Sequence, residues 1–395
     1  MELTMDEALK MIYEQNGNLN LEYSGIDKLP DGLRVPGNLH LTYCPIRRLP
    51  KGLTVDGHLL LDGSKIEELP DDLMVSRWLS LANCPIRKLP NRLMIGHALC
   101  LDDSNIEKLP DELVVPGSLS MENCPIRRLP KGLTVGESLV LDGSQIEELP
   151  DELVVPGNIS LRNCPIRRLP KGLMVGESLF LDGSQIEELP DELTVPGSLY
   201  LRNCPIQKLP KGLAVGIKLH LDGCPIKELP EDLKVGEQII MPNGTLMYPC
   251  EENRLKDGDY VPGRYIYADK ILTHVVQKKR FQNYDYYIGK IPGRNLITDG
   301  THFAHCKDIR NGLRDLRFKT AEERGAEQYL DIDIDDMIPT EDMVTMYRII
   351  TGACRQGTEQ FLKSLGKLKK SYTVREAIQL TEGQYGANIF RKYFS

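Results

Sequence analysis

A pattern of 20 residues repeats without a slip from Leu19 to Met241. Each unit has two leucines separated by one residue, followed by a Cys or Ser, as in Leu79, Leu81 and Cys84. The Cys or Ser falls at positions 24, 44, 64, 84, 104, 124, 144, 164, 184, 204 and 224. A unit this short cannot bury its own apolar face, so successive units must stack on one another as a solenoid.

The residues of one unit predict its backbone. Two leucines with one residue between them are typical of a short strand that has one buried face. The Leu-Pro pair later in each unit cannot lie inside a helix, because proline lacks an N–H group and fixes its own φ. Twenty residues also leave no room for a helix on the return path. We therefore expect extended or 3₁₀ backbone there, with turns at pairs such as Pro116-Gly117.

The unit resembles the short leucine-rich repeats of the LPX class, which occur in bacterial effector proteins delivered to host cells. The resemblance covers Leu19 to about Met241. It implies an α/β-type leucine-rich-repeat solenoid that is right-handed and curved, with a parallel concave sheet and a non-helical convex side. Such arrays are general binding scaffolds. An effector-like protein that binds another protein is therefore the expected function.

The two ends of the array suggest three parts of the chain. Thr4 and Glu7 have the spacing of a capping box, so a helix that covers the open end of the solenoid is predicted for residues 1–17. Its expected apolar stripe is Met5, Ala8, Leu9, Ile12 and Tyr13. The solenoid occupies 18–242. In 243–395 the period is lost and tyrosines and histidines replace leucines, which predicts an α+β domain of unknown function.

Charge and cysteine usage restrict the class of partner and the compartment. Residues 1–242 carry 25 Lys and Arg against 36 Asp and Glu, which argues against nucleic acid as a partner. The first 17 residues lack a secretory signal, and no stretch of about 18 apolar residues could span a membrane. Cysteines at alternate units read as small buried side chains in a reducing compartment. We expect a cytoplasmic protein, or one exported by a route without a cleaved signal peptide.

A second period of 40 residues lies over the first. Units with Cys are followed by basic pairs such as Arg127-Arg128, and units with Ser by acidic pairs such as Glu147-Glu148. Stacking places opposite charges beside each other, whereas a slip of one unit would align like charges. We interpret this alternation as a device that sets the register of the repeats.

The outward residues of the last units form the predicted binding site. Aromatic and charged side chains gather only there, and these are the residue types of binding hot spots. The predicted binding residues are Arg162, Phe180, Asp182, Tyr200, Arg202, His220 and Asp222. The alternative is that the aromatic residues contact the segment after Pro242 and close the end of the solenoid.

Residues 243–395 offer weaker candidates. Strands are expected at Arg264–Asp269, Ile271–Phe281 and Tyr284–Ile288, with turns at Pro292-Gly293 and Asp299-Gly300. Helices are expected at Asp308–Arg317, at 340–354, and at Thr358–Leu365, Thr373–Thr381 and Gln384–Phe394.

Two local patterns could carry chemistry. Cys306 with His305 and Asp308 suggests a thiolate nucleophile, because effector ligases that carry LPX repeats have a Cys-x-Asp motif. An enzyme that modifies a target recruited by the repeats is therefore the alternative function, and binding without catalysis is favoured. Asp331, Asp333 and Asp335 imitate a calcium loop, although a strand with an acidic outer face explains the same alternation. We expect no cofactor.

Overall fold

The computed structural model describes residues 1–261, 265–281, 283–291 and 294–395. Each repeat contributes a two- or three-residue strand to one main sheet, and equivalent positions of neighbouring units pair in parallel, as Leu119 does with Leu139. The parallel strands are Leu19–Asn20, Leu39–His40, Leu59–Leu60, Leu79–Ser80, Leu99–Cys100, Leu119–Ser120, Leu139–Val140, Ile159–Ser160, Leu179–Phe180, Leu199–Tyr200, Lys218–His220 and Gln238–Ile240. The predicted leucine-rich-repeat solenoid is confirmed.

The return path of each unit is extended, as predicted, and contains no helix. It carries a second set of short strands, which pair in parallel in groups of two to four. These strands are Arg34–Val35, Thr54–Val55, Met74–Val75, Met94–Ile95, Val114–Val115, Thr134–Val135, Val154–Val155, Met174–Val175, Thr194–Val195, Ala214–Val215 and Lys234–Val235.

The repeat leucines, isoleucines and valines form one continuous core between these two sets of strands. The cysteines at 44, 84, 124, 164, 204 and 224 are buried within it as free thiols. Each thiol donates to a main-chain carbonyl of the preceding unit, as Cys124 Sγ does to Leu101 O at 3.0 Å. The predicted inward direction of this position is confirmed.

Ion pairs on the surface follow the 40-residue period. A basic residue of each pair reaches the acidic residue 20 positions later, as in Arg47 with Glu67 at 2.6 Å and Arg128 with Glu148 at 2.8 Å. Equivalent pairs join Arg48 to Glu68, Arg127 to Glu147, Arg167 to Glu187 and Arg168 to Glu188. Because these side chains are exposed, each pair contributes roughly 0–1 kcal/mol.

Helix α1 (Met5–Glu14) covers the first repeat and begins with the predicted capping box of Thr4 and Glu7. Ala8 and Ile12 are buried against the solenoid core. The predicted stripe is wrong at Leu9 and Tyr13, which are exposed. The face that packs is instead completed by Met5 and Met11, because it is narrower than the apolar spacing suggested.

The chain forms two compact units, the first containing Met1–Val275 and the second Val276–Ile288 and Arg294–Ser395. In the first unit the segment after the repeats continues the solenoid. Strand Leu246–Met247 pairs antiparallel with Gln238–Ile240. Strands Tyr260–Val261 and Tyr265–Ala268 follow, and Ile271–Phe281 begins in this unit. The predicted division at 242 and 243 stays a prediction.

The second unit combines antiparallel strands with helices. Its strands include Tyr284–Ile291, Asn295–Thr298, Phe303–Cys306, Met337–Pro339 and Ser371–Thr373. Its helices are α2 (Ile309–Arg324), a 3₁₀ turn at Ala326–Tyr329, α3 (Thr340–Thr351), α4 (Arg355–Ser364), α5 (Val374–Leu380) and α6 (Ala387–Tyr393). A core of Met343, Met346, Tyr347, Val374, Ala377 and Phe390 joins α3, α5 and α6.

All five predicted helices of this region are present. Helix α2 is longer than predicted and ends at Gly325. Arg264 and the turn predicted at Pro292-Gly293 lie outside the described residues. None of the helices in the described part of the chain is long and apolar enough to cross a membrane.

Candidate functional site

Three rings on successive strands form a continuous strip on the outer face of the main sheet. Phe180, Tyr200 and His220 occupy the same repeat position, and the strand register pairs each with the next. The ring centroids of Phe180 and Tyr200 lie 4.7 Å apart, and those of Tyr200 and His220 lie 4.3 Å apart. Both pairs are nearly parallel, with 15° between the ring planes. We call these three residues the aromatic strip.

Exposure differs along the aromatic strip. Phe180 and Tyr200 are half-buried, so a face or edge of each ring remains accessible. His220 is only 9 % exposed and stacks beneath Tyr200. The sequence could not distinguish these positions, because all three follow the same outward pattern. The accessible part of the strip is therefore Phe180 and Tyr200, with His220 as their support.

Arg162 fixes the Phe180 end of the strip. Its guanidinium carbon lies 4.4 Å from the centroid of the Phe180 ring, within the range of a cation–π interaction. The same guanidinium lies 3.2 Å from a carboxylate oxygen of Asp142 and 3.7 Å from one of Asp182. Its charge is therefore balanced by two acids while it holds the ring.

Arg202 has the equivalent position at the other end. Its Nε lies 3.3 Å from Asp222 Oδ2, and its guanidinium carbon lies 5.6 Å from the Tyr200 ring centroid. A terminal nitrogen of Arg202 lies 3.0 Å from His220 Nδ1. Because a guanidinium can only donate, Nδ1 is the acceptor and the His220 proton resides on Nε2.

The protonation state of His220 follows from this arrangement. Burial lowers the pKa of His220, and the positive charge of Arg202 lowers it further. Asp222 and Asp182 act in the opposite direction but do not reverse the shift. His220 is therefore a neutral, fixed ring at neutral pH.

Aspartates of the Ser-containing units have a structural role that the sequence interpretation missed. The carboxylate accepts the main-chain N–H of the residue 20 positions later, at 2.8 Å from Asp142 to Arg162 and at 2.8 Å from Asp182 to Arg202. Asp62 and Asp102 do the same one and two periods earlier. The recurrence of Asp every 40 residues was the available signal. Asp182 therefore positions the strand of Arg202 in addition to balancing charge.

Two further exposed aromatic groups lie nearer the start of the array. Tyr23 and Tyr43 stack with 5.0 Å between centroids, and both have positive φ, at positions where other units carry residues such as Gly63. Trp78 donates from Nε1 to His97 Nδ1 at 3.2 Å. Neither group extends over three strands as the aromatic strip does.

The three residues proposed for catalysis do not form a reactive thiolate site. Cys306 is 6 % exposed, and burial raises the pKa of its thiol to about 11, with a further contribution from the charge of Asp308. Asp308 instead caps α2 by accepting the N–H of Asn311 at 2.9 Å. His305 precedes Cys306 in a strand, where successive side chains point to opposite faces. The thiol is therefore protonated at neutral pH and packed under α2.

The acidic residues proposed for calcium are engaged locally. Asp335 accepts two hydrogen bonds from Arg375, at 2.8 and 2.9 Å. Asp333 accepts the N–H of Asp335 at 2.9 Å, and Asp331 lies in the preceding turn. The predicted strand over these residues is wrong, because the backbone here forms turns. Within the described ranges, no group of three or more His, Cys, Asp or Glu side chains could hold a metal ion.

Comparison with known proteins gives two similar solved structures. One is YopM, a leucine-rich effector protein from Yersinia pestis, with 17% identity and a TM-score of 0.30 over 57% of this chain and 90% of that chain. The other is YopM from Yersinia enterocolitica WA-314, with 18% identity and a TM-score of 0.30 over 60% of this chain and 69% of that chain. No protein-family model and no curated protein matches the chain.

Proposed function

We propose that the chain is an effector-like scaffold that binds a protein partner on the outer face of the main sheet, at its last units. The observation that carries this proposal is the aromatic strip, in which rings of three successive strands stack within 4.7 Å of one another. Aromatic and arginine side chains dominate binding hot spots because they provide large contact area with little loss of conformational freedom.

The charges beside the strip indicate the kind of partner. Arg162 and Arg202 alternate with Asp182 and Asp222, and each guanidinium already lies near a carboxylate. The surface therefore presents both signs at short spacing and no excess of either. A folded protein of mixed surface charge fits this pattern better than a polyanion does.

The test compares Tyr200→Ala with wild type in the full chain. Proteins captured by the wild-type chain from a cell extract are identified by quantitative mass spectrometry, and the enriched protein is purified for a direct affinity measurement. Truncation of a hot-spot aromatic residue typically costs about 2 kcal/mol or more, which is about 30-fold in Kd. We expect Tyr200→Ala to weaken binding by at least that factor.

Leu60→Ala is the matched control, because Leu60 occupies the same repeat position as Tyr200 in an early unit. It should leave the affinity within about threefold of wild type, since non-anchor positions contribute little. Melting temperatures of both variants separate binding from stability. If Tyr200→Ala lowers the melting temperature and leaves the affinity unchanged, the strip serves the solenoid and the proposal is wrong.

A further inference from the structure

An arginine-lined cavity lies between helices α2, α3 and α4 of the second unit. Its volume is about 380 Å³. Four arginines from the three helices line it, namely Arg310, Arg314, Arg348 and Arg355. The acidic residues in the lining are Glu341 and Glu359. The sequence gave no sign of this cluster, because its members are separated by up to 45 residues.

Two of the arginines are balanced by acids at the edge of the cavity. Arg355 donates two hydrogen bonds to the carboxylate of Asp315, at 2.8 and 2.7 Å. Arg314 lies 3.1 Å from Glu359. The third acid, Glu341, pairs with Arg317, which does not line the cavity.

The other two arginines have no such partner. Throughout the described part of the chain, neither Arg310 nor Arg348 has a carboxylate within 4.0 Å. The Arg348 guanidinium carbon instead lies 3.7 Å from the centroid of the Phe318 ring, which holds it in place. Burial lowers the pKa of Arg348, and the positive charge of Arg355 lowers it further. The cavity thus contains positive charge that the described residues leave unbalanced.

The opposite wall of the cavity is apolar. Val344, Leu362 and Leu368 line it, and the same three residues also line an adjoining crevice of about 50 Å³. A ligand that fills both spaces needs an anionic group next to a small apolar one. A space of this size accepts a small molecule and excludes a folded partner or a nucleic acid duplex.

We propose that this cavity binds a small phosphate monoester that carries an apolar or aromatic substituent. A phosphoryl group offers three acceptor oxygens and close to two negative charges at neutral pH, and guanidinium groups bind such oxygens through paired N–H donors. Arg348 and Arg310 supply the unpaired donors, and the Val344 side of the cavity contacts the substituent. This binding site is independent of the protein-binding face of the solenoid.

The test measures binding of phenyl phosphate and of inorganic phosphate to the full chain by calorimetry. We expect phenyl phosphate to bind, and inorganic phosphate to bind at least tenfold more weakly because it leaves the apolar wall uncovered. Binding should weaken as the pH falls below about 6, where the phosphoryl group takes up its second proton. Equal affinity for the two probes, or no heat from phenyl phosphate at millimolar concentration, would overturn the proposal.

Variants locate the site. Arg348→Gln should weaken phenyl phosphate binding at least tenfold, and Arg310→Gln at least threefold, because each removes donors to the phosphoryl oxygens. Arg310 is exposed, so its replacement tests the site even if Arg348→Gln perturbs folding. The matched control is Arg324→Gln at the far end of α2, outside the cavity. Equal losses in Arg310→Gln and Arg324→Gln would show a non-specific charge effect and overturn the proposal.

Discussion

Side chains that serve two units at once account for most of the regularity of the array. The Cys124 thiol donates to Leu101 O at 3.0 Å and lies 3.5 Å from the Ser104 hydroxyl. Burial raises the pKa of the equivalent Cys164 thiol to about 11, so these groups stay protonated and act as donors. Serine also donates from this position. The alternation of Cys and Ser therefore satisfies the same main-chain carbonyls with side chains of different size.

His220 should make stability depend on pH. Its folded-state pKa lies below the ordinary value of 6.5, because of burial and Arg202. As the pH falls through about 6.5, the unfolded chain takes up a proton and the folded chain does not. The contribution of His220 to stability is therefore complete above that pH and is lost below it. We expect the difference in melting temperature between wild type and His220→Gln to shrink as the pH is lowered from about 7.5 to about 5.

The comparison with His220→Gln removes the contributions of all other titrating groups, which the two proteins share. His302, for example, has a raised pKa because Glu323 and Asp299 lie close to it, and it stabilises the fold in the opposite direction. A difference in melting temperature that stays constant over this pH range would contradict the assigned neutral state of His220.

Repeated elements were predictable, and non-repeated ones only where they carry caps. A fixed period places every residue beside the one 20 positions away, so strand register, cysteine burial and ion pairs all followed from the sequence. Helix α5 was also found within one residue at each end, because Thr373 and Glu376 form a capping box. The stretch Leu330–Ile334 was assigned as a strand and is a turn. Ile332 and Ile334 pack on the core there from irregular backbone, and the Asp333 carboxylate binds main-chain N–H groups that a strand would pair.

The ion-pair ladder has one defect that predicts a stabilising substitution. Lys88 and Lys108 are bridged in the register where other units place Arg128 beside Glu148. Lys108→Glu should therefore raise stability by a few tenths to about 1 kcal/mol, and Glu148→Lys should lower it by a similar amount. Thermal unfolding of both variants at low salt measures the two effects.

High salt provides the control for this pair of variants. At about 1 M salt the screening length falls to about 3 Å, and both effects should disappear. Changes in stability that persist at this salt concentration would mean that packing, rather than charge, distinguishes the variants.

At the scale of the whole molecule, the solenoid is closed at its two ends by unrelated elements. Helix α1 covers the first unit, and at the other end Leu255, Tyr265 and Leu272 pack on Ala214 of a late unit. The same repeat position is an exposed Met94 in an early unit, so Ala214 was a local sign that a late unit is covered. The covering segment itself could not be predicted, because it has no period and its partners are more than 40 residues away. The arginine-lined cavity was missed for the same reason.

This closure at both ends predicts where the array loses protection when one end is weakened. In a solenoid each unit contacts only its neighbours, so a loss of stability at one end should spread inward over a few units and fade. Leu272→Ala and Ile12→Ala each remove a buried side chain at opposite ends, with an expected cost of about 2–5 kcal/mol. Hydrogen exchange should then accelerate in the last units for Leu272→Ala and in the first units for Ile12→Ala. The two variants control for each other, since both shorten an apolar side chain to Ala in the same protein. Equal acceleration along the whole array in both variants would mean that the repeats unfold as one cooperative block and that the ends have no separate role.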